Sequence, residues 1–297
     1  MKYFDSHAHY YDERFSEELE QGVDTLIDTL FSEKVSYIIN VGTDPTTSRA
    51  AAAQARKYEN MYTAIGIHPS DTRFLSDMDS ELAFVRELIR SPESKCVALG
   101  EIGLDYHYDF SPRDIQKVWF KAQLELARQL DLPAVIHDRD AHGDVFDMIK
   151  STKGVRCVMH SCSESAEAVR QLTDMGHYIS FSGSVTFKNA KNTVLSAEAC
   201  PLDKILIETD CPYLAPTPHR GKLNHSGLVR HTAEKLADNY WMSLILENKF
   251  IPAGLEVMIA FLAAHEYEVK NLRIVLSGKE AGIATATIRE RIRDSYV

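Results

Sequence analysis

Eight apolar runs of strand length recur along the 297-residue chain, with segments of helical period between them. They are Lys2–Asp5, Val35–Val41, Met61–Gly66, Cys96–Gly100, Ala134–Ile136, Val155–Met159, Tyr178–Ser180 and Ile205–Glu208. Runs such as "VSYIINV" and "KILIE" are continuous rather than alternating, as in strands buried on both faces. Two architectures satisfy this pattern: an open doubly wound sheet and a closed (β/α)8 barrel. The open sheet usually carries a glycine-rich phosphate turn after its first strand. Here that turn reads "HAHYYD", without glycine. The expected fold is therefore α/β, a (β/α)8 TIM barrel, over residues 1–242.

The helical segments carry their own signals. In "RDIQKVWFKAQLELARQLDL", Ile115, Val118, Trp119, Leu124 and Leu126 lie near one apolar stripe with charges opposite. "TTSRAAAAQARKY" opens on Thr and Ser caps, and "SESAEAVRQLTDMG" runs from a Ser163 cap to Gly176.

A barrel places reactive residues at the C-terminal ends of its strands. His7 and His9 follow the first run, His68 the third and Glu101 the fourth. His137 follows the fifth, His160 the sixth and Asp210 the eighth. Side chains two apart on a strand share a face, so His7 and His9 can converge on one ion while Ala8 points away. Imidazoles with carboxylates suit zinc, manganese or iron, and a carboxylate- and water-rich site also takes magnesium. Four or more histidines and two carboxylates exceed one tetrahedral ion and fit two divalent cations. Taken singly, each residue has an ordinary reading: a core histidine, a turn cap, a solvated acid. Their joint placement is what points to a metal centre. His68, before Pro69, reads equally as a packing residue at the barrel mouth or a substrate contact. His107, His142, His177, His219, His225, His231 and His265 read as surface or loop residues.

Net charge is −10, so attraction for a polyanion must come from local arginines or bound cations. The five cysteines form no C-x-x-C pair, which argues against a thiolate zinc site and for a reducing, cytoplasmic setting. No run of eighteen apolar residues and no basic-then-apolar leader occurs, so no membrane association is expected.

In order along the chain, "FDSHAHYYD", "IGIHPS", "ALGEIGLDYH", "VIHDRDA", "SFSGSVTFKNA" and "IETDCPYLAPTPHRGKLN" resemble the TatD family of metal-dependent deoxyribonucleases. The resemblance runs from Met1 to about Met242. It implies a nuclease acting on DNA, typically an exonuclease, that uses magnesium, manganese or zinc. It places one ion on His7, His9, Glu101 and Asp210, and a second on Glu101, His137 and His160. His68, Arg220 and Lys222 would contact substrate, with Arg220 gripping a phosphate through parallel hydrogen bonds. Asp210 and Glu101 are the implied catalytic residues, Asp210 accepting the proton of the attacking water.

Residues 243–297 depart from that family's usual ending. "AAHEYEVKNLRIVLSGK" and "IRERIRDSYV" resemble the C-terminal segment of the C-type subunit of A/V-type rotary ATPases. Two helices are expected there, near Leu255–Val275 and Thr287–Tyr296. The first carries an apolar stripe of Met258, Ile259 and Leu262 that would favour self-association if exposed.

Three functions compete at this point. The first is a two-metal phosphodiesterase acting on single-stranded or frayed DNA, with RNA as a further substrate. The second is a metal-dependent ester or amide hydrolase, such as a D-aminoacyl-tRNA deacylase. The third is a non-enzymatic barrel docked on a rotary ATPase by its tail.

Overall fold

The structure is a computed structural model that describes residues 2–75, 77–248 and 255–292. The chain divides into two compact units, Met1–Ala233 and Glu234–Val297. Strand and helix alternate through the first: β1 Tyr3–Ala8, α1 Glu13–Glu18, α2 Val23–Glu33, β2 Val35–Val41, α3 Pro45–Ala55, β3 Met61–Ile65, α4 Met78–Arg90, β4 Cys96–Asp105, α5 Arg113–Leu130, β5 Ala134–Arg139. The order continues with α6 His142–Ser151, β6 Cys157–Met159, α7 Ala166–Asp174, β7 Tyr178–Phe181, α8 Lys191–Ala199 and β8 Ile205–Ile207, and then α9 Val229–Asn248, most of whose residues belong to the second unit.

All eight strands are parallel and each pairs with its neighbour in sequence. The ring meets itself between β8 and β1 through a single bridge, Ala8 with Cys211. Two backbone hydrogen bonds hold that seam: Asp210 N–H donates to His7 O at 2.9 Å, and His9 N–H to Cys211 O at 2.8 Å. The expected TIM barrel is therefore the observed fold. Its core is the side-chain filling of the strands, with Ile38, Met61, Ile65, Leu99, Ile102 and Phe181 fully buried.

Several strands run further than the apolar runs suggest. β1 continues to Ala8, β5 to Arg139, and β4 extends over 10 residues. The polar residues of "GEIGLD" do not end β4, because its C-terminal half keeps its ladder with β5 while alternate side chains face the barrel mouth. At Gly103 φ is +147°, and a Cβ there would overlap the carbonyl oxygen of His137. Only glycine lets β4 and β5 approach this closely.

α5 departs from its expected stripe. Ile115 and Val118 are exposed, while Gln116 and Gln123 are buried with Trp119, Phe120 and Leu124. The two glutamines lie two helical turns apart and bond to strand ends. Gln123 accepts Ile67 N–H at 2.8 Å and donates to Ile67 O at 2.9 Å. Gln116 accepts Asp105 N–H at 2.8 Å and donates to Asp105 O at 3.1 Å. Backbone groups with no ladder partner are thus satisfied by amides on the covering helix. The cap of α3 is Asp44, in a capping box with Thr47, rather than a Thr or Ser of that helix. α7 starts from Ser165 rather than Ser163.

In the second unit, α10 spans Leu255–Glu280 and α11 spans Thr285–Arg291. Gly278 gives Ile288 of α11 access to the α10 backbone. Leu262 of the expected apolar stripe is exposed, as are Leu272 and Leu276. The side chains of Met258 and Ile259, and residues 293–297 of the expected last helix, lie outside the described residues. No helix among the described residues is long and apolar enough to cross a membrane.

Candidate metal centre

The C-terminal strand ends gather His7, His9, Glu101, His137, His160 and Asp210 around one point. Glu101 organises them. Its Oε2 lies 3.4 Å from His7 Nε2 and 3.9 Å from His9 Nε2. Its Oε1 lies 2.7 Å from His137 Nδ1 and 3.3 Å from His160 Nε2. Asp210 Oδ1 closes the first set, 3.3 Å from His9 Nε2 and 3.8 Å from His7 Nε2. His68 joins from the β3 loop, its Nε2 3.6 Å from Glu101 Oε1.

Further contacts fix the orientation of the rings. His9 Nδ1 lies 2.8 Å from the carbonyl of Val41, which can only accept, so Nδ1 carries a hydrogen and Nε2 faces the centre. His160 Nδ1 lies 2.8 Å from Glu208 Oε1, turning Nε2 to Glu101. His68 Nδ1 accepts the N–H of Ser70 at 3.2 Å, so in the neutral ring the hydrogen sits on Nε2. His137 Nε2 lies 3.2 Å from Asp105 Oδ2. Beneath His7, the buried carboxylate of Asp5 accepts N–H groups from His7 at 3.3 Å and Thr209 at 2.9 Å, tying β1 to the end of β8.

The charge states follow from these contacts. Burial opposes the charged form of every ring here. For His9 the carboxylate of Asp210 overcomes it, and the pKa is pushed up to about 9. Asp105 and Glu101 take His137 to about 9 against the same burial. Glu208 and Glu101 take His160 to about 10. In His7 and His68 burial prevails, aided by the facing His160 and His137, and His68 falls to about 3. Burial also works against ionised Glu101 and Asp210. Nevertheless the charge on His160 holds Glu101 well below the usual carboxylate range, and contact with His9 lowers Asp210. The centre keeps its acids ionised and stabilises positive charge among its donor atoms.

These residues fit divalent metal ions. His7 and His9 aim Nε2 at each other across 3.0 Å, so either one shares a hydrogen with the other or both lone pairs turn to a cation. His7 Nδ1 is buried without a hydrogen-bond partner. Groups of three donors within 4.8 Å of one another include His7–His9–Glu101, His7–His160–Asp210 and Glu101–His137–His160. Mixed imidazole and carboxylate donors are the chemistry of zinc, manganese and iron sites.

A cavity of about 720 Å³ opens over the centre, walled in part by Glu101, His137, His160, Asp210 and the side chains of Tyr108 and Arg139. Arg220 and Lys222 are not among its walls. Both are exposed, and the Arg220 guanidinium packs 3.7 Å from the Phe187 ring centroid. Phe187 gives that arginine a cation–π partner that the "PHRGK" loop alone does not reveal.

Sequence reasoning missed Asp105, Glu208 and Asp5. Strand parity was the available signal: Glu101, Gly103 and Asp105 alternate on one face of β4, and Glu208 shares parity with Asp210. Among the histidines read as surface or loop, His177 is buried and accepts the N–H of Cys157 at 3.1 Å. His142 sits 3.0 Å from Asp138 and 3.2 Å from Glu164, which together raise its pKa to about 10.

Comparison with known proteins agrees with this geometry. The family profile "TatD related DNase" matches residues 4–246. The uncharacterized metal-dependent hydrolase YabD of Bacillus subtilis is 43% identical over 79% of this chain and 90% of its own length. YcfH of Escherichia coli K12, another uncharacterized metal-dependent hydrolase, is 36% identical over 78% of this chain and 86% of its own. The crystal structure of YjjV, a TatD homolog from Escherichia coli K12, superposes with a TM-score of 0.73 at 26% identity, covering 80% of this chain and 90% of that one. A second profile, "ATP synthase (C/AC39) subunit", matches residues 208–291, so the likeness seen in the tail reaches back to the end of β8. The barrel, the strand-end donors and these relatives lead to one assignment: the chain belongs to the TatD-related DNase family of metal-dependent hydrolases.

Proposed function

We propose that this protein is a divalent-metal-dependent deoxyribonuclease that trims single-stranded or frayed DNA ends, with RNA as a further substrate. The observation that carries the reading is the divided carboxylate of Glu101, with one oxygen toward His7 and His9 and the other toward His137 and His160. That division suits two ions sharing Glu101. His7, His9 and Asp210 would complete one site, and His137 and His160 the other.

When bound, such ions would lower the pKa of a water and neutralise charge on the phosphoryl oxygens. The protein's own groups do the rest. Asp210, held ionised and lining the cavity, takes the proton of the attacking water. Neutral His68 presents Nε2–H toward the centre, a donor for a phosphoryl oxygen. Glu208 and Asp105 hold His160 and His137 in orientation. Arg220 and Lys222, outside the cavity wall, would meet phosphates further along the strand.

The test is a panel of 3′- and 5′-labelled single-stranded oligonucleotides with magnesium, manganese or zinc, run beside a D-aminoacyl-tRNA. Nucleotide release with at least one ion, abolished in Glu101→Gln, supports the proposal. No release with any ion, together with cleavage of the aminoacyl ester, replaces it with the ester-hydrolase reading. Hydrolysis of neither substrate by the intact protein with any ion leaves the tail-docked, non-enzymatic reading.

A further inference from the structure

Three large aromatic rings stand open to solvent around the β3–α4 and β4–α5 loops. Phe74 is 68% exposed, Tyr108 51% and Phe110 48%. Leaving this much ring surface in water forgoes the burial that ordinarily removes it. Tyr108 and Phe110 are stacked, with centroids 5.2 Å apart and planes 12° from parallel. Asp109 between them has φ +52°, a left-handed turn that brings two rings separated by one residue together. Arginines flank the stack at both ends. The Arg139 guanidinium lies 4.5 Å from the Tyr108 centroid, and that of Arg73 lies 5.3 Å from Phe110 and 4.4 Å from Phe74. Arg113 is held by Asp109 at 3.3 Å. Arg73 and Arg139 have no carboxylate at ion-pair distance among the described residues.

The stack is joined to the metal centre. Tyr108, Phe110 and Arg139 wall the same cavity as Glu101, His137, His160 and Asp210. Asp105 Oδ1 accepts the N–H groups of His107 at 3.0 Å and Tyr108 at 2.8 Å, while its Oδ2 faces His137. One carboxylate therefore sets the position of the rings and of a metal-facing imidazole. Arg73 Nη1 donates to the Phe110 carbonyl at 2.8 Å and braces the far side of the loop.

We propose that Tyr108, Phe110 and Phe74 form a stacking platform for the unpaired bases of a single-stranded nucleic acid, with Arg73 and Arg139 facing its phosphates; this rests on the nuclease reading above and names where that substrate lies. Exposed rings interleaved with guanidinium groups bind single strands without sequence preference, because every base has a π-face. Two local cations supply the attraction that a chain of net charge −10 lacks globally. A paired end would have to fray before its bases reach the rings, so the platform selects single strands over blunt duplexes.

The experiment measures fluorescence anisotropy of a phosphorothioate-linked single-stranded decamer with manganese, for the intact protein and for Tyr108→Ala/Phe110→Ala. A second decamer carries abasic sites in its last three positions, so it keeps the phosphates and lacks the bases. We expect the intact protein to prefer the full decamer about 10-fold or more. The double variant should lose that preference while binding the abasic decamer unchanged, and Tyr108→Trp/Phe110→Trp should retain it. Equal weakening toward both decamers, or a preference that survives the alanine variant, overturns the platform while cleavage by the intact protein leaves the nuclease reading standing. Neither binding nor cleavage of any oligonucleotide by the intact protein removes both.

Discussion

Gln123 offers a direct test of how the barrel holds its mouth together. It is fully buried on α5, and its amide closes a two-bond ring with the backbone of Ile67, the residue before His68. Gln123→Met keeps the length and helix propensity of the side chain and removes both polar partners. Ile67 is itself fully buried, so its N–H and C=O would be left without water or protein partners. Each orphaned group costs about 1–3 kcal/mol, and relief of burying the amide offsets part, which leaves a net loss of about 2–4 kcal/mol. That is a large share of the ~5–15 kcal/mol that stabilises a typical domain. Urea unfolding should show it as a lower midpoint with unchanged slope, and hydrogen exchange at the Ile67 amide should accelerate selectively. Gln129→Met, on the exposed face of the same helix, should stay within ~0.5 kcal/mol of the parent. A Gln123→Met midpoint equal to that of Gln129→Met would refute the reasoning, because Ile67 would then have another partner.

Three further outcomes are expected. Glu208→Gln should weaken manganese binding about 10- to 100-fold at the site served by His160, read by equilibrium dialysis, with little change in far-UV circular dichroism. Gly103→Ala should destabilise the protein by about 2–5 kcal/mol in urea, combining backbone strain at φ +147° with overlap on His137 O. His225, whose Nδ1 accepts Gly227 N–H at 3.2 Å, has its pKa lowered to about 4 by burial and by the facing His219. Below pH 6.5 the unfolded chain takes up a proton that the folded chain refuses, so this contribution to stability is present above 6.5 and is lost as pH falls toward 4. His225→Asn keeps an acceptor and should flatten that slope by about 2–3 kcal/mol in denaturation series across the interval.

The architecture was legible because parallel strands buried on both faces leave continuous apolar runs, and because barrel chemistry collects at strand ends. Of the seven strand-end residues singled out on that rule, the five histidines lie within 3.9 Å of Glu101, and Asp210 joins them through His7 and His9. What escaped was polar structure inside the elements. Gln116 and Gln123 look like solvated positions in a helical pattern, yet they are buried because strand ends need partners that no ladder supplies. Asp105 was hidden by ending β4 too early, at the first charged residue. Glu208 carried the right parity but stood two residues from the more conspicuous Asp210. The packing of Arg220 was hidden for a different reason: Phe187, its ring partner, comes from another loop, and only the fold brings the two together.

The seam between β8 and β1 has a consequence for how the protein comes into being. His7 and His9 leave the ribosome before the other donors, and Asp210 only after all eight strands. The nascent barrel therefore holds an unfinished ring of donor atoms until its last strand docks beside its first, through the bonds joining Asp210 to His7 and His9 to Cys211. The same step that finishes the circle thus completes the set of donor atoms, so metal binding and barrel closure are coupled.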